Sequence, residues 1–387
     1  MDFALTESQE LIKKEVGALA RTFSLDYWLD KDDKAEYPHE FVRAFADNGW
    51  LGIMIPEEHG GAGLGVTEAA LMLHEICASG AGTSGASPIH FYVFPPTPII
   101  KYGAAEMKQK YLPRIAAGEI VMAFGVTEPN AGTDTSRIQT RAVKREDRWI
   151  VNGRKVWTTN AQHANKILLL ARTGDRDPQK PLKGMTLFFA DLDRTAVTVR
   201  LIHKLGRAAV DSNEIFIENL EVPDEDVVGT VGEGFYHLID SLNPERIVVG
   251  IEAVGIGRAA LERAVQYAKE RIVFDRPIGK NQAIAHPLAL ALAQLDAAEL
   301  MCLKAAWLFD TGRPCGREAN AAKLLAAEAG FQACDAALQT FGGFGYAKEF
   351  YVERLWREIR LYKIAPISQQ MALNYLSEHV LGLPRSY

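Results

Sequence analysis

The chain has 387 residues, 48% of them hydrophobic, with 43 Lys and Arg against 49 Asp and Glu for a formal net charge of −6. That length exceeds what one compact core usually fills, so two or three packed modules are expected, and the absence of any block of like charges argues against nucleic acid or a membrane surface as partner. Cys77, Cys302, Cys315 and Cys334 stand far apart, with no C-x-x-C and no histidine at ligand spacing, so neither a metal site nor a disulfide framework is indicated and they read as thiols of a reducing compartment.

The opening residues, Met1-Asp2-Phe3-Ala4-Leu5-Thr6, lack a basic segment followed by an apolar run. A soluble, cytoplasmic protein without a transit peptide is expected. From there to residue 122 the pattern is helical: Leu11, Val16 and Leu19 recur behind Thr6-x-x-Gln9, which suits a capping box. The glycine-rich run His59 to Gly65 lacks the Gly-Lys-Ser/Thr ending of a phosphate loop and reads as a structural loop.

Residues 123–233 change to short β-rich runs. Trp149-Ile150-Val151 and Lys155-Val156-Trp157 read as two strands around a tight turn at Asn152-Gly153, with further strands at 167–171, 185–190, 197–201 and 214–217. Residues 234–387 return to long helical patterns, about 245–271, 283–311, 318–340 and 366–381, which suggest an antiparallel four-helix bundle. Gly255-Ile256-Gly257-Arg258-Ala259-Ala260 matches a dinucleotide fingerprint in letters only, because it lies inside a helical run; close helix packing is the better reading. The expected fold is therefore mainly α with a central β domain: an N-terminal helical domain, a middle barrel- or sandwich-like β domain and a C-terminal bundle.

The most informative stretch is Gly125-Val126-Thr127-Glu128-Pro129-Asn130-Ala131-Gly132-Thr133-Asp134-Thr135, which presents backbone amides and hydroxyls directly after an apolar strand. By itself it indicates polar-ligand binding of unspecified kind. The run closely resembles a signature of the acyl-CoA dehydrogenase family, and further stretches follow in the family's order over essentially the whole chain. The resemblance implies FAD, an acyl-CoA substrate, an electron-transfer flavoprotein as electron acceptor and a homotetramer built as a dimer of dimers.

Carried over residue by residue, the resemblance places Phe124, Val126, Thr127, Gly132 and Thr133 along the flavin, with Trp157 and Thr159 covering another side. Trp157 also suits a plain core position at a strand end. Arg271, Phe274 and Gln282 match a stretch that reaches the FAD of a neighbouring subunit, where an arginine fork suits pyrophosphate. Gln339, Gly342 and Gly343 resemble the second dinucleotide stretch, although Gly-Gly after a helix also suits a C-cap. Ser368 and Gln370 match polar flavin contacts near the C-terminus.

Removing a proton alpha to a thioester while hydride leaves the beta carbon needs a fixed, desolvated base facing the flavin across the substrate. Many relatives carry that glutamate in a C-terminal Tyr-Glu-Gly-Thr run, where this chain has Ala365, Pro366, Ile367 and Ser368. A minority place it on the first bundle helix directly before an arginine, as in Asn243-Pro244-Glu245-Arg246. Glu245 is thus the expected catalytic base, in the helix's opening turn, with Asn243, Arg246 and Thr133 toward the substrate; an ordinary first-turn glutamate favoured by the helix dipole is the alternative. Proline at 366 also removes an amide that helps polarise the thioester carbonyl in relatives. An oxygen-using acyl-CoA oxidase or flavin monooxygenase, and an acyl-CoA or flavin binding protein without activity, remain the competing functions.

Overall fold

A computed structural model of the chain describes residues 4–385. Met1 to Phe3, which enter the reading of the N-terminus, and positions 386–387 of the bundle domain lie outside the described residues.

Seven helices come first: α1 (Glu7–Arg21), α2 (Leu25–Lys34), α3 (His39–Asp47), α4 (Val66–Ile76), α5 (Gly82–His90), α6 (Thr97–Tyr102) and α7 (Ala105–Ala116). The capping box of α1 forms, with Thr6 Oγ1 accepting from Gln9 N–H at 3.3 Å and Gln9 Oε1 accepting from Thr6 N–H at 3.0 Å. The strands β1 (Met122–Gly125), β2 (Arg141–Arg145), β3 (Arg148–Thr159), β4 (Lys166–Arg172), β5 (Met185–Asp191), β6 (Val197–Leu201), β7 (Ser212–Pro223) and β8 (Val227–Val228) form one hydrogen-bonded sheet in the order β6-β7-β3-β2-β4-β5-β8, with β1 parallel to β4. The bundle comprises α8 (Gly234–Glu270), α9 (Gln282–Asp310), α10 (Gly316–Phe341), α11 (Val352–Ile359) and α12 (Gln369–Tyr375), with a small hairpin, β9 (Ile272–Val273) and β10 (Arg276–Pro277), after α8. Among the described residues no helix is long and apolar enough to cross a membrane.

Alternation along the strands decides where the sheet meets the helices. In β4, Ile167, Leu169 and Ala171 enter a core belonging to the β domain, whereas Leu168 and Leu170 join the core shared with the N-terminal helices and the bundle. Both faces of β4 are therefore buried, which is why it reads as an unbroken apolar run. β1 divides the same way: Ala123 faces the β core and Phe124 packs toward the helices. In the bundle, the buried Ala319, Ala322, Ala326, Ala333 and Ala337 give α10 a small-residue face, and a Cβ on Gly257 would stand 3.0 Å from the Gly330 backbone. The Gly255-x-Gly257 letters thus serve helix contact.

Three local expectations are corrected. Asn152-Gly153 is not a hairpin turn: β3 runs through it from Arg148 to Thr159 with a register shift against β7, and the turn lies instead between β2 and β3. Glycine suits the bulge at 153 because any Cβ there would come within 2.5 Å of the Thr140 side chain. The first bundle helix starts at Gly234 rather than Glu245, passing through Pro244, so Glu245 is an interior residue beyond reach of the helix N-terminal dipole. The last helix begins only at Gln369, where the Ser368 hydroxyl caps Met371 N–H at 3.3 Å, and beyond Tyr375 it continues as a π-helical turn to Val380, close to the expected end.

Candidate active site

The signature run is fixed from beneath by one buried ion pair. Glu128 accepts from Lys155 Nζ at 2.8 Å and from the backbone N–H groups of Gln139 and Thr140 at 2.6 and 2.9 Å. Lys155 is wholly buried, which pushes its pKa down to about 8 against the pull of Glu128. Its ammonium also donates to the Val126 carbonyl at 3.0 Å. Thr127 is tied to β3 through its carbonyl, which accepts from Val156 N–H at 2.9 Å. The backbone just after β1 is thereby held while Gly132 and Thr133 stay exposed at the loop tip.

Trp157 stands opposite this loop in the left-handed region, φ 62°, and is 58% exposed. A register irregularity between Lys155 and Thr158 turns it out of the sheet. A large aromatic in a rare conformation and in water is not a core residue. Thr159 is buried, and its hydroxyl accepts from Arg207 at 3.3 Å. Phe124 is half-buried with its ring 5.1 Å from Phe94, which in turn lies 6.2 Å from the His90 ring.

Glu245 keeps part of its surface open, yet protein atoms surround it, as for a group lining an internal cleft. It makes no hydrogen bond or ion pair among the described residues. Burial pushes its pKa up to about 7, with Glu252 acting in the same direction and His90 and Arg246 opposing. Arg246 turns aside and donates to Asn243 Oδ1 at 2.9 Å. The loop carrying Ala365 and Pro366 holds no carboxylate; Lys323, buried on α10, binds the Ile367 carbonyl there at 2.6 Å.

Of the remaining expected residues, Ser368 and Gln370 stand beside the Lys323 and Arg246 end of the bundle, and the others lie apart from this site. Arg271, Gly342 and Gly343 line a cavity of about 460 Å³ together with Tyr267, Thr340 and Phe344, and no residue of the β domain contributes to it. Phe274 projects into water at 93% exposure, and Gln282, Gln339 and Gln370 are also exposed. Ser368 serves as the α12 cap.

Two groups were not anticipated. One is a buried set around Glu252, which bonds His90 Nδ1 at 2.8 Å and the Tyr362 hydroxyl. A charged residue inside the apolar run Ile247 to Val254, seven positions after Glu245, was the available signal. The other is a cavity of about 540 Å³ lined by Asn130, Arg137, Gln139, Arg141, Arg172 and Arg176, beside the signature run.

Family models of the acyl-CoA dehydrogenase N-terminal, middle and C-terminal domains match residues 6–119, 123–220 and 232–381. Acyl-CoA dehydrogenase fadE12 of Mycobacterium bovis is 37% identical over 391 residues, covering 100% of this chain and 99% of the relative. Butyryl-CoA dehydrogenase of Megasphaera elsdenii superposes with a TM-score of 0.93 at 30% identity over 98% of this chain and 100% of that one. The FAD complex of PigA superposes at 0.92 with 25% identity, over 99% and 100%. Helical domain, β sheet and bundle stand in the order of the three matched models, which describe a class of oxidoreductases. The chain belongs to the acyl-CoA dehydrogenase family.

Proposed function

We propose that the chain carries out FAD-dependent α,β-dehydrogenation of an acyl-CoA thioester to the trans-2-enoyl-CoA, with Glu245 taking the α proton and a cytoplasmic electron-transfer flavoprotein accepting the electrons. The observation that carries this reading is the unpartnered carboxyl of Glu245, enclosed between domains with its pKa raised to about 7. A general base works best when its pKa lies near the working pH.

The residues present fit the cofactor. Cβ atoms placed on Gly132, Gly342 and Gly343 would meet nothing within 4 Å, so backbone stands open to a ligand at the loop tip and in the Arg271 cavity. Phe124, Val126, Thr127, Gly132, Thr133, Trp157 and Thr159 would face the flavin ring, and Ser368 and Gln370 would add polar contacts. Bound FAD supplies the two-electron acceptor for the hydride that leaves the β carbon. Thr133, Asn243 and Arg246 would orient the substrate, Arg246 doing so while leaving Glu245 free to move a proton.

Arg271, Phe274, Gln282, Gln339, Gly342 and Gly343 are assigned to the dinucleotide of a neighbouring subunit in a homotetramer. Support comes from the water-exposed Phe274 and from Leu290, Leu300 and Trp307, which leave an apolar face on α9 at 50–60% exposure. Domain boundaries are placed at 122/123 and 233/234.

The arginine-lined cavity suits the phosphates of CoA. Replacing Arg141 and Arg176 together by glutamine is expected to raise KM for acyl-CoA about tenfold or more and to leave KM for the matching S-acyl-pantetheine unchanged. Equal effects on both thioesters would remove the assignment.

The pH profile of anaerobic flavin reduction tests the reading as a whole. Only the carboxylate form accepts a proton, so kcat/KM should rise with pH to a plateau, half-maximal near the pKa of about 7 given to Glu245. A profile without an ionisation between roughly pH 6 and 8, or acyl-CoA binding with no bleaching at any pH, would defeat it.

A further inference from the structure

Proton abstraction from the thioester leaves one buried polar cluster unused. On α5, Ser87 and His90 are three residues apart and share a face; on α8, Glu245 and Glu252 are seven apart and share a stripe. The two helices pack together, and their polar faces meet where His90 Nδ1 lies 2.8 Å from Glu252 Oε1. Tyr362 donates its hydroxyl to the other oxygen of Glu252. A carboxylate engaged in this way accepts, so Nδ1 carries the imidazole proton.

The second ring nitrogen is left over. Nε2 has no hydrogen-bond partner among the described residues although His90 is only 8% exposed, and it is absent from the unpartnered polar atoms that are sealed within protein. It therefore keeps some surface accessible to a small molecule. Beside it, Arg207 donates to three hydroxyls, Ser87 at 3.1 Å, Thr159 at 3.3 Å and Ser212 at 3.0 Å, and has no carboxylate in ion-pair range among the described residues. Thr159 belongs to the flavin-facing set and Glu245 to the base side, so the pair stands along the path of an acyl chain leaving its reacting carbons. A purely alkyl tail would desolvate an imidazole nitrogen and a guanidinium without replacing their hydrogen bonds.

We propose that this end of the pocket selects acyl chains carrying an oxygen function beyond Cβ, a hydroxyl, carbonyl or carboxylate, held by His90 Nε2 with Arg207 as the flanking cation. A neutral ring accepts from a hydroxyl, and a charged ring donates to any of the three. The assignment rests on the acyl-CoA reading above.

The test is anaerobic flavin bleaching by the holoenzyme with straight-chain acyl-CoAs and their ω-hydroxy and ω-carboxy counterparts of equal length. Oxygenated chains should show kcat/KM at least about tenfold higher, since a site built to bond an oxygen rejects the analogue lacking it. In H90L that ratio should fall to about one, through KM more than kcat, with the relative order of the hydroxy and carboxy series identifying which oxygen is preferred. Wild-type preference for alkyl chains, or a ratio that survives H90L with full flavin content, would overturn the proposal and leave the dehydrogenase reading standing. Bleaching by no thioester at all would sink both. Should H90L lose flavin, H90Q serves in its place with a reduced ratio expected, and the wild-type comparison needs no variant.

Discussion

Replacing Glu245 by glutamine is expected to slow flavin reduction by acyl-CoA about 10²- to 10⁴-fold, the usual contribution of a positioned general base, while FAD remains bound. Glutamine matches the carboxyl in shape and cannot take a proton. Because Glu245 has no hydrogen-bond or ion-pair partner among the described residues, nothing else is broken by the change. Removing an enclosed ionisable group whose pKa is raised to about 7 by burial also relieves a desolvation cost, so thermal stability should hold or rise. Anaerobic stopped-flow spectra and a melting curve read both effects on one preparation. A variant that still bleaches within a few-fold of the wild-type rate would reassign the base.

The opposite pattern is expected at Glu358. Its carboxylate accepts from Thr83 N–H at 2.6 Å, Thr83 Oγ1 at 2.8 Å, Ser84 Oγ at 2.7 Å and Arg354 at 2.8 Å, all buried. It joins α11 to the first turn of α5, beside the kink at Gly80 and Gly82. Alanine there would strand the Arg354 guanidinium, which is 1% exposed, and a broken buried pair costs about 3–5 kcal/mol. The melting midpoint of E358A should drop by several degrees, and E358Q, which retains the shape and part of the bonding, should lose less. Since α5 also carries Ser87 and His90, turnover should fall in E358A as well. A melting curve that matches the wild type would show that the pair contributes no net stability.

Legibility followed the range of the forces involved. The capping box at Thr6 and Gln9, the loop of residues 59–65 and the apolar run of β4 were readable because each depends on neighbours a few residues away. Asn152-Gly153 misled for the same reason: the dipeptide favours a tight turn locally, and only pairing with β7 on one side and the close approach of Thr140 hold it as a bulge. The start of α8 was misplaced at about Glu245, whereas the helix runs from Gly234 and passes through Pro244.

From its order of residues alone this protein declared a helical domain, a β sheet and a bundle; Glu245 stood out only through the family resemblance, which implies a carboxylate where this chain has Ala365 and Pro366. What surrounds that carboxyl was decided in three dimensions. His90 meets Glu252 across 162 positions and Tyr362 reaches the same carboxylate across 110; Arg207 gathers hydroxyls from α5, β3 and β7. Desolvation and charge proximity depend on which atoms come within a few ångströms, and no periodicity in the chain encodes that before the three domains close on one another.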